Sequence, residues 1–183
     1  VYGLRGTALA PTPTGTFYLG PNPINDKDEP KYVLLDEPPT ESGIVSYRTS
    51  QPHATLTVFS LPIDEPGVQV ADPAWVRLYL RPNPPWNAKL ITVELGYVPP
   101  DGDYTIIGSK TFPYDFTQEI FTVYFDTEHE IIPGGSQINL TVSVEWDGPP
   151  YGTLFIHYGG TQATQAYIFD AVGFIILTDP PLG

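Results

Sequence analysis

The sequence predicts an all-β protein, a two-sheet antiparallel β-sandwich of the jelly-roll type with an N-terminal extended donor strand. Apolar residues recur with a period of two, most clearly at 138–146, where Ile, Leu, Val and Trp alternate with Asn, Thr, Ser and Glu. Turn motifs rich in Pro, Gly and Asp separate these runs. No segment combines a helical apolar stripe with helix caps. Ten or eleven short strands of this kind are typical of a sandwich.

The strands follow one another as short alternating runs, each with one apolar face and one polar face, which is the antiparallel pattern. They are predicted at residues 16–20, 31–35, 44–49, 54–61, 76–80, 91–97, 104–109, 121–125, 138–146, 154–158 and 166–177. Turns are predicted at 99–102, 133–135, 147–150 and 159–160. Without an internal linker or repeat, residues 16–183 are predicted to form one domain.

The N-terminal segment 1–15 stands apart from that domain. Residues 1–10 are apolar and β-compatible, and Pro11 and Pro13 stiffen the connection that follows. The segment is either a first edge strand, a frayed terminus, or a donor strand that pairs with a neighbouring subunit. In a donated strand Tyr2 and Leu4 share one face, and Leu9 lies on the other. Because the chain begins with Val1, we also expect removal of a signal peptide and an extracellular or cell-surface location.

Charge and composition exclude several classes of function. The formal net charge of −13 disfavours nucleic acids and anionic membranes as partners. No apolar run is long enough to span a bilayer, so membrane insertion is not expected. The absence of Cys excludes disulfides and thiolate metal sites. The absence of Cys and Met, with 22 Pro, is typical of a secreted protein from a hyperthermophile.

Carboxylates gather in the predicted loops, and calcium is the ion that such oxygen-rich loops favour. The candidate calcium ligands are Asp26, Asp28, Glu29, Asp64, Glu65, Asp101, Asp103, Asp126 and Glu128. The EF-hand pattern is absent, and each cluster is also compatible with an ordinary solvated loop.

The C-terminal run 167–174 resembles the closing strand of jelly-roll carbohydrate-binding modules. In those modules an aspartate before a small residue and Val ligates a structural calcium ion, which implies the same role for Asp170. An aspartate bonded to backbone amides would show the same pattern.

Enzymatic activity is not predicted. Glu94 and Glu145 both lie on the polar faces of strands, and two carboxylates about 5 Å apart would suit retaining glycoside hydrolysis. Outward glutamates are common in strands, however, and no Gly-x-Ser-x-Gly motif accompanies them. His53, His129 and His157 lack zinc-site spacing. Asn139 begins an N-glycosylation pattern, but within a predicted strand.

Over the whole chain, the processed N-terminus, the apolar leader with its Pro hinge, the cysteine-free jelly roll and the acidic loops resemble extracellular tubule and filament subunits of hyperthermophilic archaea. The cannula subunits are the most similar, and camelysin-type biofilm fibre proteins are similar more distantly. The resemblance implies a homopolymer assembled head to tail by donor-strand complementation, with calcium bridging acidic loops. The alternative is a calcium-stabilised carbohydrate-binding module or adhesin head that binds surface glycans.

Overall fold

The strands of the protein form two antiparallel sheets that pack face to face. The structure is a computed structural model and describes residues 15–64 and 67–169. Within these residues there are thirteen strands and two short 3-10 turns, Pro85–Asn87 and Gly160–Gln162. The strands are β1 (Thr16–Pro21), β2 (Tyr32–Leu35), β3 (Gly43–Arg48), β4 (His53–Phe59), β5 (Gly67–Gln69), β6 (Ala74–Asn83), β7 (Ala88–Val98), β8 (Thr105–Pro113), β9 (Ile120–Phe125), β10 (Ile131–Pro133), β11 (Gln137–Trp146), β12 (Thr153–Tyr158) and β13 (Gln165–Tyr167).

The seven-stranded sheet has the order β2-β1-β13-β6-β12-β3, and β9 also pairs with β6. The four-stranded sheet has the order β4-β11-β7-β8, and β5 and β10 form a separate two-stranded ribbon. All strand pairs in the described residues are antiparallel. The predicted all-β class and antiparallel sandwich are therefore confirmed. The chain passes directly between the two sheets at β3–β4, β6–β7, β8–β9 and β11–β12, and by way of a ribbon strand between β4 and β6 and between β9 and β11. The jelly-roll type stays a prediction.

The core lies between the two sheets and is built by the alternating pattern. In β11 the side chains of Ile138, Leu140, Val142 and Val144 are at most 2% exposed. Side chains of the seven-stranded sheet, such as Leu78, are buried in the same cluster. Burying an aliphatic or aromatic side chain of this size contributes roughly 1.5–3 kcal/mol. The period of two therefore identified the buried face of these strands correctly.

Three strands differ from the prediction. The ribbon strands β5 and β10 are absent from it, since three residues are too few to show an alternation. Their central residues, Val68 and Ile132, are nonetheless fully buried. Strand β13 occupies only residues 165–167, and the predicted strand at 166–177 continues outside the described part of the chain.

The start of the described chain is fixed at Gly15, whose φ is +72°. Its carbonyl accepts hydrogen bonds from the backbone N–H of Ile168 at 2.9 Å and of Phe169 at 3.4 Å. A Cβ at this position would collide with the Phe169 carbonyl oxygen. Both the conformation and the contact therefore require glycine. The predicted division between residues 1–15 and 16–183 stays a prediction.

Candidate functional surfaces of the sandwich

The outer surface of the seven-stranded sheet carries aromatic rings and guanidinium groups. We call this surface the arginine–aromatic face and define it by Trp75, Arg77, Arg81, Phe155 and Tyr167. The rings of Trp75 and Tyr167 lie 5.7 Å apart between centroids. The Arg77 guanidinium carbon is 5.4 Å from the Trp75 ring centroid, and that of Arg81 is 5.2 Å from the Phe155 ring centroid. These cation–π contacts hold positive charge over a largely apolar surface.

This face continues onto the edge strand β9. Tyr124 pairs with Trp75 and Ile120 pairs with Tyr79 across the β6–β9 ladder. The side chains of Tyr124 and Ile120 are 54% and 46% exposed. Trp, Tyr and Arg are the residues most enriched at the energetic centres of protein interfaces. The arginine–aromatic face thus has the composition of a protein-binding surface.

The outer surface of the four-stranded sheet is different, because it presents hydroxyl groups. We call it the hydroxyl face and define it by Thr55, Thr57, Thr92, Thr111, Thr141 and Ser143. Its side chains bond across neighbouring strands: Thr55 to Ser143 at 3.0 Å, Thr57 to Thr141 at 3.2 Å and Thr92 to Thr111 at 2.8 Å. A hydroxyl has one donor and two acceptor sites, so each pair retains capacity to bond a ligand.

Beside the hydroxyl face, Tyr104 folds back over β7 and lies on Gly96. A Cβ at Gly96 would come within 2.4 Å of the Tyr104 ring, so the ring rests directly on the backbone. The Tyr104 hydroxyl donates a hydrogen bond of 2.7 Å to Glu94 Oε2. Burial raises the pKa of Tyr104 well above its usual range, and the hydrogen bond to Glu94 and that carboxylate's charge raise it further. The phenol therefore stays protonated and keeps donating at neutral pH.

At the far end of the same sheet, His53 and Lys89 lie beside Glu145. Its carboxylate lies 3.8 Å from His53 Nε2 and 4.0 Å from Lys89 Nζ. Glu145 pairs with Leu90, and Glu94 is four residues further along β7. At about 3.4 Å per residue, the two glutamates are roughly 14 Å apart. They share a face, as predicted, but they are too distant to act as the close pair of a retaining glycosidase.

At this end of the sandwich the β6–β7 and β11–β12 loops are tied together. The Asn87 side-chain amide donates to the carbonyls of Gly148 and Pro150. A neighbouring groove of about 510 Å³ is lined by Arg48, Thr49, Ser50 and Tyr151. Trp86, in the turn that Asn87 ends, is 78% exposed.

A second groove, of about 330 Å³, runs between the edge strands of the two sheets. Its lining includes Phe112 of β8 and Phe121, Val123 and Tyr124 of β9. In the described chain, β8 pairs only with β7, and β9 pairs only with β6. Each strand therefore has one edge available for another strand.

The predicted calcium ligands do not meet in the described chain. Within residues 15–64 and 67–169, no three Asp, Glu or His side chains are close enough to hold one metal ion. The Asp26 side chain instead accepts the backbone N–H of Asp28 at 3.1 Å and stabilises its own turn. Asp64, Asp101, Asp103, Asp126 and Glu128 are exposed. Glu65, Asp170 and the predicted strand residues Tyr2, Leu4 and Leu9 lie outside the described residues.

Two other predicted residues have contacts of their own. His129 Nδ1 lies 3.3 Å from the Val70 carbonyl oxygen, in a turn where Glu128 and His129 both have positive φ. Asn139 is only 4% exposed, and its side-chain oxygen accepts a hydrogen bond from Thr141. The glycosylation pattern at Asn139 therefore lies on a buried side chain. In the described residues no helix is long and apolar enough to cross a membrane.

Comparison with known proteins gives a fold and no family. No protein-family model matches the chain, and no curated protein matches its sequence. Among solved structures, an aminopeptidase from a marine-sediment Thaumarchaeota archaeon matches with a TM-score of 0.61 and 14% identity, over 85% of this chain and 36% of that one. An α-amino acid ester hydrolase matches with a TM-score of 0.59 and 14% identity, over 86% and 36%. A Staphylococcus aureus CocE/NonD family hydrolase matches with a TM-score of 0.59 and 9% identity, also over 86% and 36%.

These matches correct the prediction that the protein is not an enzyme. The fold that the chain adopts is one that hydrolases contain, and the chain spans about a third of their length. The absence of a Gly-x-Ser-x-Gly motif and of zinc-site spacing did not exclude an enzyme, because a sandwich can be one part of a longer hydrolase whose catalytic residues lie elsewhere.

Proposed function

We propose that this chain is the β-sandwich domain of an ester or aminopeptide hydrolase. The observation that carries the proposal is the fold match with the aminopeptidase and the ester hydrolase, which extends over 85–86% of the chain at TM-scores of 0.59–0.61. In both neighbours the matched part is 36% of the polypeptide. A sandwich of this shape therefore accompanies a larger remainder in those proteins.

The arginine–aromatic face supports this proposal as the surface that contacts the remainder of the hydrolase. The rings of Trp75 and Tyr167 lie side by side with an interplanar angle of 31°, and Arg77 adds positive charge over the Trp75 ring. The whole chain has only 8 Lys and Arg against 21 Asp and Glu. Placing arginines on this face therefore favours a partner surface with carboxylates, since complementary charges select the orientation of docking.

The test uses the gene product that contains these 183 residues and follows hydrolysis of α-amino acid p-nitrophenyl esters and aminoacyl p-nitroanilides. Deletion of residues 15–169 is expected to abolish the activity. The double substitution Arg77→Glu and Arg81→Glu is expected to lower kcat/KM by about tenfold or more, because it reverses the charge of the docking face. Lys27→Glu, which reverses the charge of an exposed side chain in the β1–β2 loop, is the matched control and should have little effect on kcat/KM.

Absence of hydrolysis in the intact product, or full activity after the deletion, would contradict the proposed function. Loss of activity on deletion, but not in the double variant, would refute the arginine–aromatic face alone. Equal losses in the double variant and in Lys27→Glu would also count against that face.

A second candidate function is self-assembly by strand donation. The groove between β8 and β9 favours it, because the free edge of β9 adjoins the apolar side chains of Phe112 and Val123. We propose that residues 1–10 of another copy add a strand at this edge, with Tyr2 and Leu4 facing the groove. Calcium bridging between exposed loop carboxylates, and an extracellular location, belong to this proposal.

Sedimentation of the purified chain with calcium and with a chelator tests the second candidate. Full-length protein should form large particles in calcium, whereas a chain without residues 1–10 should remain folded and monomeric. Tyr124→Lys, which adds a charge at the accepting edge, should weaken assembly; Tyr47→Lys, at a side chain on β3 that is also exposed (42% against 54% for Tyr124), should not. A full-length protein that stays monomeric in calcium would exclude this function.

A further inference from the structure

We infer that Tyr104, Glu94 and the hydroxyl face form a binding site for a neutral oligosaccharide chain. The site is independent of the hydrolase proposal. It lies on the outer surface of the four-stranded sheet, opposite to the arginine–aromatic face. Three kinds of group meet there: an exposed aromatic ring, a carboxylate and rows of hydroxyls.

The Tyr104 ring is positioned in advance of any ligand. One side of the ring rests on the backbone of Gly96, where a side chain would collide with it. The hydrogen bond to Glu94 fixes the direction of the hydroxyl. The side chain remains 39% exposed, which leaves ring surface in contact with solvent. A fixed, exposed aromatic surface is suited to the apolar C–H face of a sugar ring, because it loses little conformational freedom on binding.

Polar groups for sugar hydroxyls lie next to this ring. Glu94 is flanked across the sheet by Thr141 on β11 and by Ser109 on β8, and Thr141 is flanked in turn by Thr57. A carboxylate accepts about four hydrogen bonds, and Tyr104 occupies one of them. Thr141 donates its hydroxyl proton to Asn139, so Thr57 donates to Thr141. A row from Glu94 through Thr141 to Thr57 therefore offers hydrogen-bond acceptors for sugar hydroxyls across three neighbouring strands.

The charges of the face decide the class of ligand. Glu94 stands at the centre, and the Lys89 ammonium lies at the far end of the sheet, where Lys89 and His53 contact Glu145. An anionic ligand, such as a phosphate or an acidic polysaccharide, would meet the Glu94 charge without a cation beside it. A neutral polyhydroxylated chain instead satisfies the carboxylate and the threonines together.

The experiment measures binding of neutral oligosaccharides to the full chain by isothermal titration calorimetry. The probes are cellohexaose, xylohexaose, mannohexaose and maltohexaose, with polygalacturonate as an anionic comparison. At least one neutral probe is expected to bind. Tyr104→Ala and Glu94→Gln should each weaken that binding by about tenfold or more. Tyr47→Ala removes a tyrosine of closely similar exposure, 42% against 39%, from the other sheet and should leave binding unchanged.

Glu94→Gln removes the charge at the centre of the site without removing volume, so it tests the proposal even if Tyr104→Ala unfolds. Circular dichroism and thermal melting show whether each variant retains the fold. Failure of every neutral probe at millimolar concentration would overturn the proposal. So would preferential binding of polygalacturonate, or an equal loss in Tyr47→Ala. A change of oligomeric state in Glu94→Gln without any sugar binding would instead show that the face binds another copy of the chain.

Discussion

Replacing Phe125 with alanine is expected to destabilise the protein by about 3–5 kcal/mol, the range for removing a large buried aromatic side chain. Phe125 ends β9 and is only 2% exposed. Its ring covers Gly108 of β8, where a Cβ would lie 2.5 Å from Phe125 Cδ1. The side chain therefore joins the edge strands of the two sheets. The alanine variant would have a cavity at the side of the sandwich where no other described strand covers the free edges of β8 and β9.

Urea unfolding monitored by circular dichroism measures this change. The urea midpoint should fall with little change in the m-value, because the surface area exposed on unfolding stays nearly the same. Phe116→Ala is the matched control: it removes the same atoms from a side chain that is 69% exposed. Its effect should remain within about 0.5 kcal/mol. Similar losses in the two variants would show that Phe125 is not a core contact.

The sequence predicted the faces of strands well and the contacts between strands poorly. At 138–146 the apolar residues of β11 are buried and the polar residues between them are half-buried, apart from Asn139, which is buried too. This works because a strand at the centre of a sandwich has one side against the core and the other against solvent. The same argument placed Glu94 and Glu145 on the outer face. Their separation depends on the register between β7 and β11, which the alternation does not contain.

The candidate sites were missed for a related reason. Tyr104 precedes β8 in a loop, and its role depends on Gly96, which is on another strand. The cation–π contact of Arg81 depends likewise on the pairing of β6 with β12, which brings Phe155 beside it. Calcium binding by the acidic loops stays a prediction. Carboxylates adjacent in sequence supply only part of a ligand set, because six to eight oxygens require several loops to meet.

A second large loss of stability is expected at Gly152, at the end of the β11–β12 loop. Replacing Gly152 with alanine is expected to cost about 3 kcal/mol, the upper part of the usual range for overpacking. An added Cβ would lie 1.8 Å from the carbonyl oxygen of Asn83 and 2.8 Å from Pro84 Cδ. The obstacle is mostly backbone, so rotation of a side chain cannot relieve it. The β11–β12 loop must move away from β6, and the Gly152 carbonyl, which accepts the Thr49 N–H at 3.1 Å, moves with it.

Gly67→Ala is the matched control for this prediction. The nearest atom to a Cβ there is 3.5 Å away, an ordinary contact, and the backbone does not have a positive φ. Its stability should therefore be close to that of the natural protein. Hydrogen exchange of backbone amides locates the damage: in Gly152→Ala, the Thr49 amide should lose protection, whereas amides in the middle of β11 should keep theirs. A Gly152→Ala protein with unchanged urea midpoint and a protected Thr49 amide would show that β6 and the β11–β12 loop are not in such close contact.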